Sequence, residues 1–514
     1  MPVQGCATHD ETVTSAPRAT LFDPFRPSVP CVIRTPFRDL AAVLAAVLLV
    51  VAAVLVGRHL HFTYDNLHVG WPPLYANWGP HVGPGTPAAL VVAVGVVAYG
   101  PRVAARLPWR ALLGTAWGAA MAWTWSLALI DGWQRGIAVR LTSRYEYLQV
   151  IDRFQDIPAT LRDFTGHILL HSPDHWPPHV AGHPPAATVT FVLLDRAGLG
   201  GGGWAGIWCI TVGASACVAI LVAVRALADE ALARRAAPFL VLTPAAVWMG
   251  TSADGYFAAV AAWTIAFLAL AVTGHRPRLT GFASGLLFGL TCYLSYGLTL
   301  FAVIAGAVLL LGGPRRTRPL PYALAGVTVV PLVFTLAGFN WWEAYHLLVE
   351  RYYQGAGGIR PYGYWVWANL ACTVLIVGPA TVAGLRRTGA TFLGSPARLK
   401  ARSPFNAPET GVRTDDRHGT PVRVVSLLRR RVVPRAGWSG TSPDLRLALL
   451  VTAAFAALLI ADLSGMSKAE TERIWLPFAL WLLAAGAFLT RPRAWLAAQA
   501  ALALLLNHLL MTGW

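Results

Sequence analysis

"DLAAVLAAVLLVVAAVLVG", residues 39–57, decides the fold. After Asp39 it is an uninterrupted apolar run, and about 20 such residues in a helix cross a hydrocarbon layer. A water-soluble core does not need a run of this kind. The composition agrees, with 56% hydrophobic and 13% charged residues. Working outward, comparable stretches lie near 87–100, 110–130, 185–203, 204–224, 236–251, 256–273, 281–296, 297–312, 320–339, 365–385, 445–461, 474–490 and 494–512. At roughly 20 residues per span these make about 14 candidates. The stretch 185–203 carries Asp195, Arg196 and glycines at 200–203, so it is expected to enter the membrane without crossing fully. The expectation is an all-α integral membrane protein, a bundle of about 13 transmembrane helices with outer loops carrying short interfacial helices.

The net charge of +17 suggests nucleic acid in a soluble protein, but here the cations sit in short connectors between apolar runs. Membrane orientation explains them better, and no nucleic-acid partner is expected. The organisation read from the chain is a cytoplasmic tail at 1–37, a transmembrane module at 38–385, a basic cytoplasmic loop at 386–443 and C-terminal transmembrane helices at 444–514. The run at 39–57 starts too late for an ordinary cleaved signal peptide and is taken as a retained helix. The basic loop, with "RRR" at 429–431, has the composition of a flexible segment suited to anionic lipid. The six cysteines, Cys6, Cys31, Cys209, Cys217, Cys292 and Cys372, have no paired spacing, so neither a disulfide framework nor a zinc motif is expected.

With a cytoplasmic N-terminus marked by Arg26, Arg34 and Arg38, counting crossings puts 58–86, 132–184, the turn around Asp254, 341–365 and 462–475 on the outer side. Nearly all the unusual polar chemistry then shares one face of a multi-pass cell-membrane protein. Within it, "HILLHSPDHWPPHVAGHPPA" spaces His167, His171, His175, His179 and His183 at steps of four. A continuous helix would stack them as a metal stripe, but Pro173, Pro177, Pro178, Pro184 and Pro185 forbid one, and the spacing reads as accidental. Pro184 and Pro185 are instead expected to start a membrane helix whose free N–H groups suit an anion, with His179 and His183 near it. The plainer reading is interfacial histidines at the start of a helix.

Three segments carry a resemblance: "TSRYEYLQVIDRF" at 142–154, "GHPPA" at 182–186, and "RRAAPFLVLTPAAVWMGTSADGYFAAVAAW" at 234–263. Together they resemble the GT-C glycosyltransferases, the polytopic enzymes that include protein O-mannosyltransferases and aminoarabinose transferases. The similarity covers about residues 130–300, and its motifs are short and degenerate. The chain departs from the pattern in having two extra helices before the acidic loop and a single glutamate in "RYEY". The resemblance implies inverting transfer of a sugar from a polyprenyl-phosphate donor to a glycan, lipid or protein acceptor of the cell envelope, at the extracytoplasmic face, and the Ala-, Arg- and Gly-rich composition fits a high-GC bacterium.

Such chemistry needs a carboxylate to take the acceptor's proton, and cations or helix N-termini to stabilise the departing phosphate. Glu146 is the first candidate base, Asp152 the second, and Asp65, in the aromatic stretch after the first helix, the rival. Surface pairing of Glu146 and Asp152 with Arg144 and Arg153 is the plainer alternative. Asp254 is read either as a second acid that positions acceptor or metal, or as a cap for the helix starting at Tyr256. "SGMSKAETERIWLPF" brings Lys468, Glu470, Glu472 and Arg473 together before an apolar run. Lys468 and Arg473 are candidates for clamping the donor phosphate, with Arg351 and Arg360 as helpers and Glu472 beside them. The alternative is a Lys468–Glu472 salt bridge that only fixes the loop. Magnesium or manganese would suit carboxylate and phosphate oxygens, though no motif requires either. "GLGGGG" at 198–203 lacks the context of a nucleotide-binding loop. A secondary transporter, lipid flippase or noncatalytic envelope-assembly protein is the rival class, weakened because no inverted repeat is seen and the acids gather at one surface.

Overall fold

The computed structural model describes residues 29–313, 316–393 and 441–513. Most of the expected tail and of the basic loop lies outside these residues. Each apolar stretch named above contains helix. Among the described residues, six helices are long and apolar enough to cross a membrane: Pro36–Tyr64, Thr86–Arg106, Gly202–Leu227, Ala253–Val272, Tyr362–Leu393 and Pro443–Leu463. Leu320–Leu336 followed by Trp341–Gln354 makes a seventh if counted as one span, bent by 78°. Trp109–Ala128, Pro277–Leu294 and Pro492–Leu509 are also long helices, but tryptophans, glycines and arginines dilute their apolar content. Ala186–Arg196 has 11 residues. At 1.5 Å per residue that is about 16 Å, too short to cross alone.

The core is built around Ala253–Val272, 83% buried over its apolar window, whereas Pro36–Tyr64 is 11% buried and faces outward. Small residues let these helices approach closely. Gly281, Gly285 and Gly289 form a stripe at helical spacing, and a Cβ at Gly285 would collide with the Ala323 carbonyl of Leu320–Leu336. From the other side, Gly326 lies as tightly against the Phe282 carbonyl. The C-terminal helices share this core, since Leu447, Leu458, Phe478 and Leu496 belong to the same buried cluster as Phe257 and Trp123.

The two ends of the bundle differ. At one end Asp39, 1% exposed, holds Arg386 at 2.7 Å and Arg387 at 2.6 Å. There too Arg234 donates to the carbonyls of Ala104 and Leu107 at 2.7 and 2.8 Å. At the other end the chain departs from a purely helical fold. Ala76–Trp78 pairs antiparallel with Leu510–Thr512 in a two-stranded ribbon. The last helix stops at Leu509, so the apolar stretch read as 494–512 is helix and then strand. The first helix runs on to Tyr64, so the outer loop expected from residue 58 starts later. The region 341–365 is likewise no open loop: Asn340 accepts from the backbone N–H groups of Trp342 and Glu343 and caps the Trp341–Gln354 helix.

Candidate active site

The segments 58–86, 132–184, 341–365 and 462–475 and the turn before Ala253–Val272 converge at the ribbon end. In 132–184, prolines prevent a continuous helix and short pieces replace it: a 3-10 helix at Tyr147–Phe154, a helix at Ile157–Asp163 and one turn at Pro178–Ala181. Asp156 caps the second by accepting from Ala159 N–H at 3.0 Å. Trp176 anchors the loop, stacked against Phe154, with its indole N–H on the Phe164 carbonyl and the Arg153 guanidinium 3.5 Å from its ring centre.

Glu146 lies just before the 3-10 helix, and the backbone N–H of His179 binds the Tyr145 carbonyl beside it, drawing the "RYEY" and "GHPP" segments together. Glu146 Oε1 is 2.8 Å from His179 Nδ1. On the other side of the ring, Nε2 is 3.0 Å from Arg473 Nη2. An arginine only donates, so Nε2 accepts and the ring proton sits on Nδ1, facing the carboxylate. Arg473 Nη1 donates to Asp254 Oδ2 at 2.6 Å, and Nη2 reaches Glu470 Oε2 at 3.5 Å. Glu470 Oε1 in turn takes Arg360 Nη1 at 3.3 Å. Glu146, His179, Asp254, Arg473 and Arg360 are all buried, so the array is a continuous interior chain of charges from four separate parts of the sequence. Glu146 Oε2 in the array and the hydroxyl of fully buried Tyr147 beside it have no hydrogen-bond partner among the described residues. Orphaned buried polar atoms are rare enough to mark a place where a ligand or water is received.

The electrostatics follow from this geometry. Burial pushes the Arg473 guanidinium toward losing its proton, but Asp254, Glu470 and Glu146 outweigh it and raise the pKa above its usual value. Burial also pushes Glu470 up, yet Arg360 and Arg473 hold it below the usual carboxylate range. Burial lowers His183 to about 4, which keeps it neutral. Its Nδ1 lies 2.7 Å from the His179 carbonyl, and its ring packs against Tyr147 and Phe257. Glu472 is fully buried and pushed up to about 7 by burial, offset in part by the N–H groups of Glu472 itself and of Tyr75.

The expected site residues separate accordingly. Glu146, His179, Asp254 and Arg473 meet directly, Arg360 joins through Glu470, and His183 flanks them. Asp152 is exposed on the far side of the 3-10 helix, and Asp65, 85% exposed, sits 3.7 Å from His61, so neither enters the array. Surface pairing of Glu146 with Arg144 does not occur: Arg144 binds the Tyr145 hydroxyl, while Glu146 faces inward. Asp254 is not the helix cap, because Ser252 occupies that position and accepts from Asp254 N–H. Lys468 and Glu472 form no pair. Lys468 Nζ donates to the Gly357 carbonyl at 2.8 Å beside the Tyr353 ring, and Glu472 Oε1 accepts from Tyr75 N–H at 2.9 Å. Arg351 is half-buried on the Trp341–Gln354 helix, with its Nε unpartnered.

Of the histidine ladder, His167 binds Asp163 and the Pro173 carbonyl, His171 and His175 are exposed, and only the last two turn inward. Among the described residues no group of three or more His, Cys, Asp or Glu is arranged to hold a metal ion. The acids best placed for magnesium or manganese, Asp254 and Glu146, already face Arg473 and His179, a donor set that does not fit a divalent cation.

Sequence reasoning missed a second cluster at this end. Asp131 is 2.9 Å from His81 Nε2 and 2.6 Å from Arg140, whose other arm donates to the Thr512 carbonyl. Arg135 and Arg140 follow Asp131 by four and nine residues, but His81 comes from the loop after the first helix, so no local pattern marks the cluster.

No family model matches the chain, and no curated protein matches it. Among solved structures, the chain is similar to the Archaeoglobus fulgidus oligosaccharyltransferase in complex with zinc and sulfate. The identity is 14% and the TM-score 0.41, over 73% of this chain and 48% of that one. The apo form of the same protein matches at 14% identity and TM-score 0.35, over 78% and 50%. The chain thus spans about half the length of the protein it matches.

Proposed function

We propose that this protein is a GT-C-like membrane glycosyltransferase that moves a sugar from a polyprenyl-phosphate donor to a cell-envelope acceptor at the extracytoplasmic face. The observation that carries the reading is the buried Glu146–His179–Arg473–Asp254 array, with an unpartnered carboxylate oxygen, at the end where the aromatic loops converge. Glu146 Oε2 takes the proton of the acceptor hydroxyl as its oxygen bonds to the sugar's anomeric carbon. The bond from that carbon to the donor phosphate breaks, and its electron pair leaves on the phosphate. His179 holds the other carboxylate oxygen, and Arg473 fixes the ring's tautomer, so both act as positioning residues. Lys468 and Arg351, which have no carboxylate partner among the described residues, are assigned to the departing phosphate. Arg360 is tied to Glu470 and to the carbonyls of Leu67 and Lys468, which makes it a brace between loops.

A transporter also uses broken helices, and Tyr362–Leu393 is broken at Gly378, with φ of +74°. Gln499 fills that break, donating to the Val377 carbonyl and accepting from Ala380 N–H, so the freed groups are not left to coordinate a passing ion. The test is purified protein in lipid nanodiscs with a panel of labelled polyprenyl-phosphate sugars and a membrane extract as acceptor. Label leaving the carrier with wild type and not with Glu146→Gln is the expected result. Equal transfer by both proteins overturns the assignment of the base, and transfer by neither, with the fold intact, favours the transporter class.

A further inference from the structure

At the bundle end opposite the candidate site, a cavity of about 610 Å³ is lined by Pro101, Arg102, Ala105, Arg106, Arg491, Pro492, Arg493 and Ala494. It lies between the C-terminal end of Thr86–Arg106 and the N-terminal end of Pro492–Leu509. The other ends of these two helices meet where Thr86 Oγ1 is 2.9 Å from His508 Nε2. At 1.5 Å per residue the two regions are about 30 Å apart, a hydrocarbon thickness. No acid lines the cavity, and none of the four arginine side chains has a hydrogen-bond or ion-pair partner among the described residues. All four are exposed. The first turn of Pro492–Leu509, an 18-residue helix, adds the positive end of its dipole.

We propose that this cavity binds the phosphate headgroup of an anionic membrane lipid. Both walls continue toward the membrane interior as exposed apolar faces. Val91, Val94 and Tyr99 precede Arg102 and Arg106 on one helix, and Ala497, Ala501 and Leu505 follow Ala494 on the other. Steps of three and four put Tyr99, Arg102 and Arg106 on one face of the first helix and Ala494, Ala497, Ala501 and Leu505 on one face of the second. The charged seat therefore sits at the head of exposed apolar surface, an arrangement that takes a headgroup with its chains attached rather than a free ion.

The test uses the full chain in phosphatidylcholine nanodiscs containing a minority of phosphatidylglycerol, with retained lipid read by native mass spectrometry. One phosphatidylglycerol kept by wild type in preference to phosphatidylcholine, and about 30-fold weaker retention in Arg491→Ala/Arg493→Ala, is the expected result. Each arginine beside an anionic headgroup counts for about fivefold. Arg110→Ala, an exposed arginine in the first turn of Trp109–Ala128 that does not line the cavity, is the control and is expected to bind as wild type. An equal loss in Arg110→Ala means diffuse surface charge and overturns the site. Displacement of the lipid by inorganic phosphate at stoichiometric amounts identifies a free-phosphate site and overturns the lipid assignment. Melting temperatures of the variants, expected to match wild type, separate lost binding from lost fold.

Discussion

At the scale of single residues, placement separates three carboxylates that look alike in sequence. Glu146 is buried against His179, while Asp152 and Asp65 face solvent. Glu146→Gln keeps the shape but removes the proposed base, and on that proposal transfer is expected to fall by about 10²–10⁴-fold with the melting temperature little changed. The same losses in Asp152→Asn or Asp65→Asn would relocate the base. Glu472 carries a pH prediction. Its pKa is about 7 in the fold and about 4.3 for an ordinary glutamate. Between these values the folded chain binds more protons than the unfolded one, so stability falls as pH rises through this window. The melting temperature in nanodiscs is expected to drop from pH 5 to pH 8, and Glu472→Gln is expected to flatten that slope. A slope unchanged by the substitution removes Glu472 as its source.

At the scale of elements, two junctions bear on whether the bundle forms at all. Gly285 lies against the Ala323 backbone, and a larger side chain must push the two helices apart. Gly285→Leu is therefore expected to cost about 1–3 kcal/mol, read as a lowered denaturant midpoint. Its effect should exceed that of Gly114→Leu, where a Cβ meets nothing within 4 Å. Gln499→Leu leaves the Val377 carbonyl and Ala380 N–H unpaired in the interior, and each orphaned group costs about 1–3 kcal/mol. A variant as stable as wild type would mean that water or a local shift repairs the break.

For the whole molecule, the proposed orientation places the ribbon end with the charge array outside the cell and the arginine-lined end inside. Single cysteines introduced at Thr63 and Asp152, both exposed, are expected to react in intact cells with a membrane-impermeant maleimide. Cysteines at Arg110 and Arg493 are expected to react only after permeabilisation. The reverse pattern inverts the proposed topology and moves the lipid-headgroup cavity to the outer leaflet.

The helices, their approximate positions and the shared side of the polar loops could be read from the sequence, because apolar runs and cationic connectors are local signals. The start of a helix after Pro184 and Pro185 was legible for the same reason. The number of full crossings was not, since Tyr296–Leu311 and Leu476–Phe488 are apolar yet short in the fold. The pairings were also out of reach: His179 with Glu146, Asp254 with Arg473, Asp131 with His81 and Arg140. Apart from Asp131 with Arg140, nine residues on, each joins residues more than 30 positions apart, and the packing around Ala253–Val272 decides which carboxylate meets which cation. Sequence by itself determined that this chain belongs in a bilayer and where its chemistry gathers, because hydrophobicity and charge act along the chain. Tertiary structure alone decided which residues form the buried charge array, because desolvation and pairing depend on neighbours brought from elsewhere.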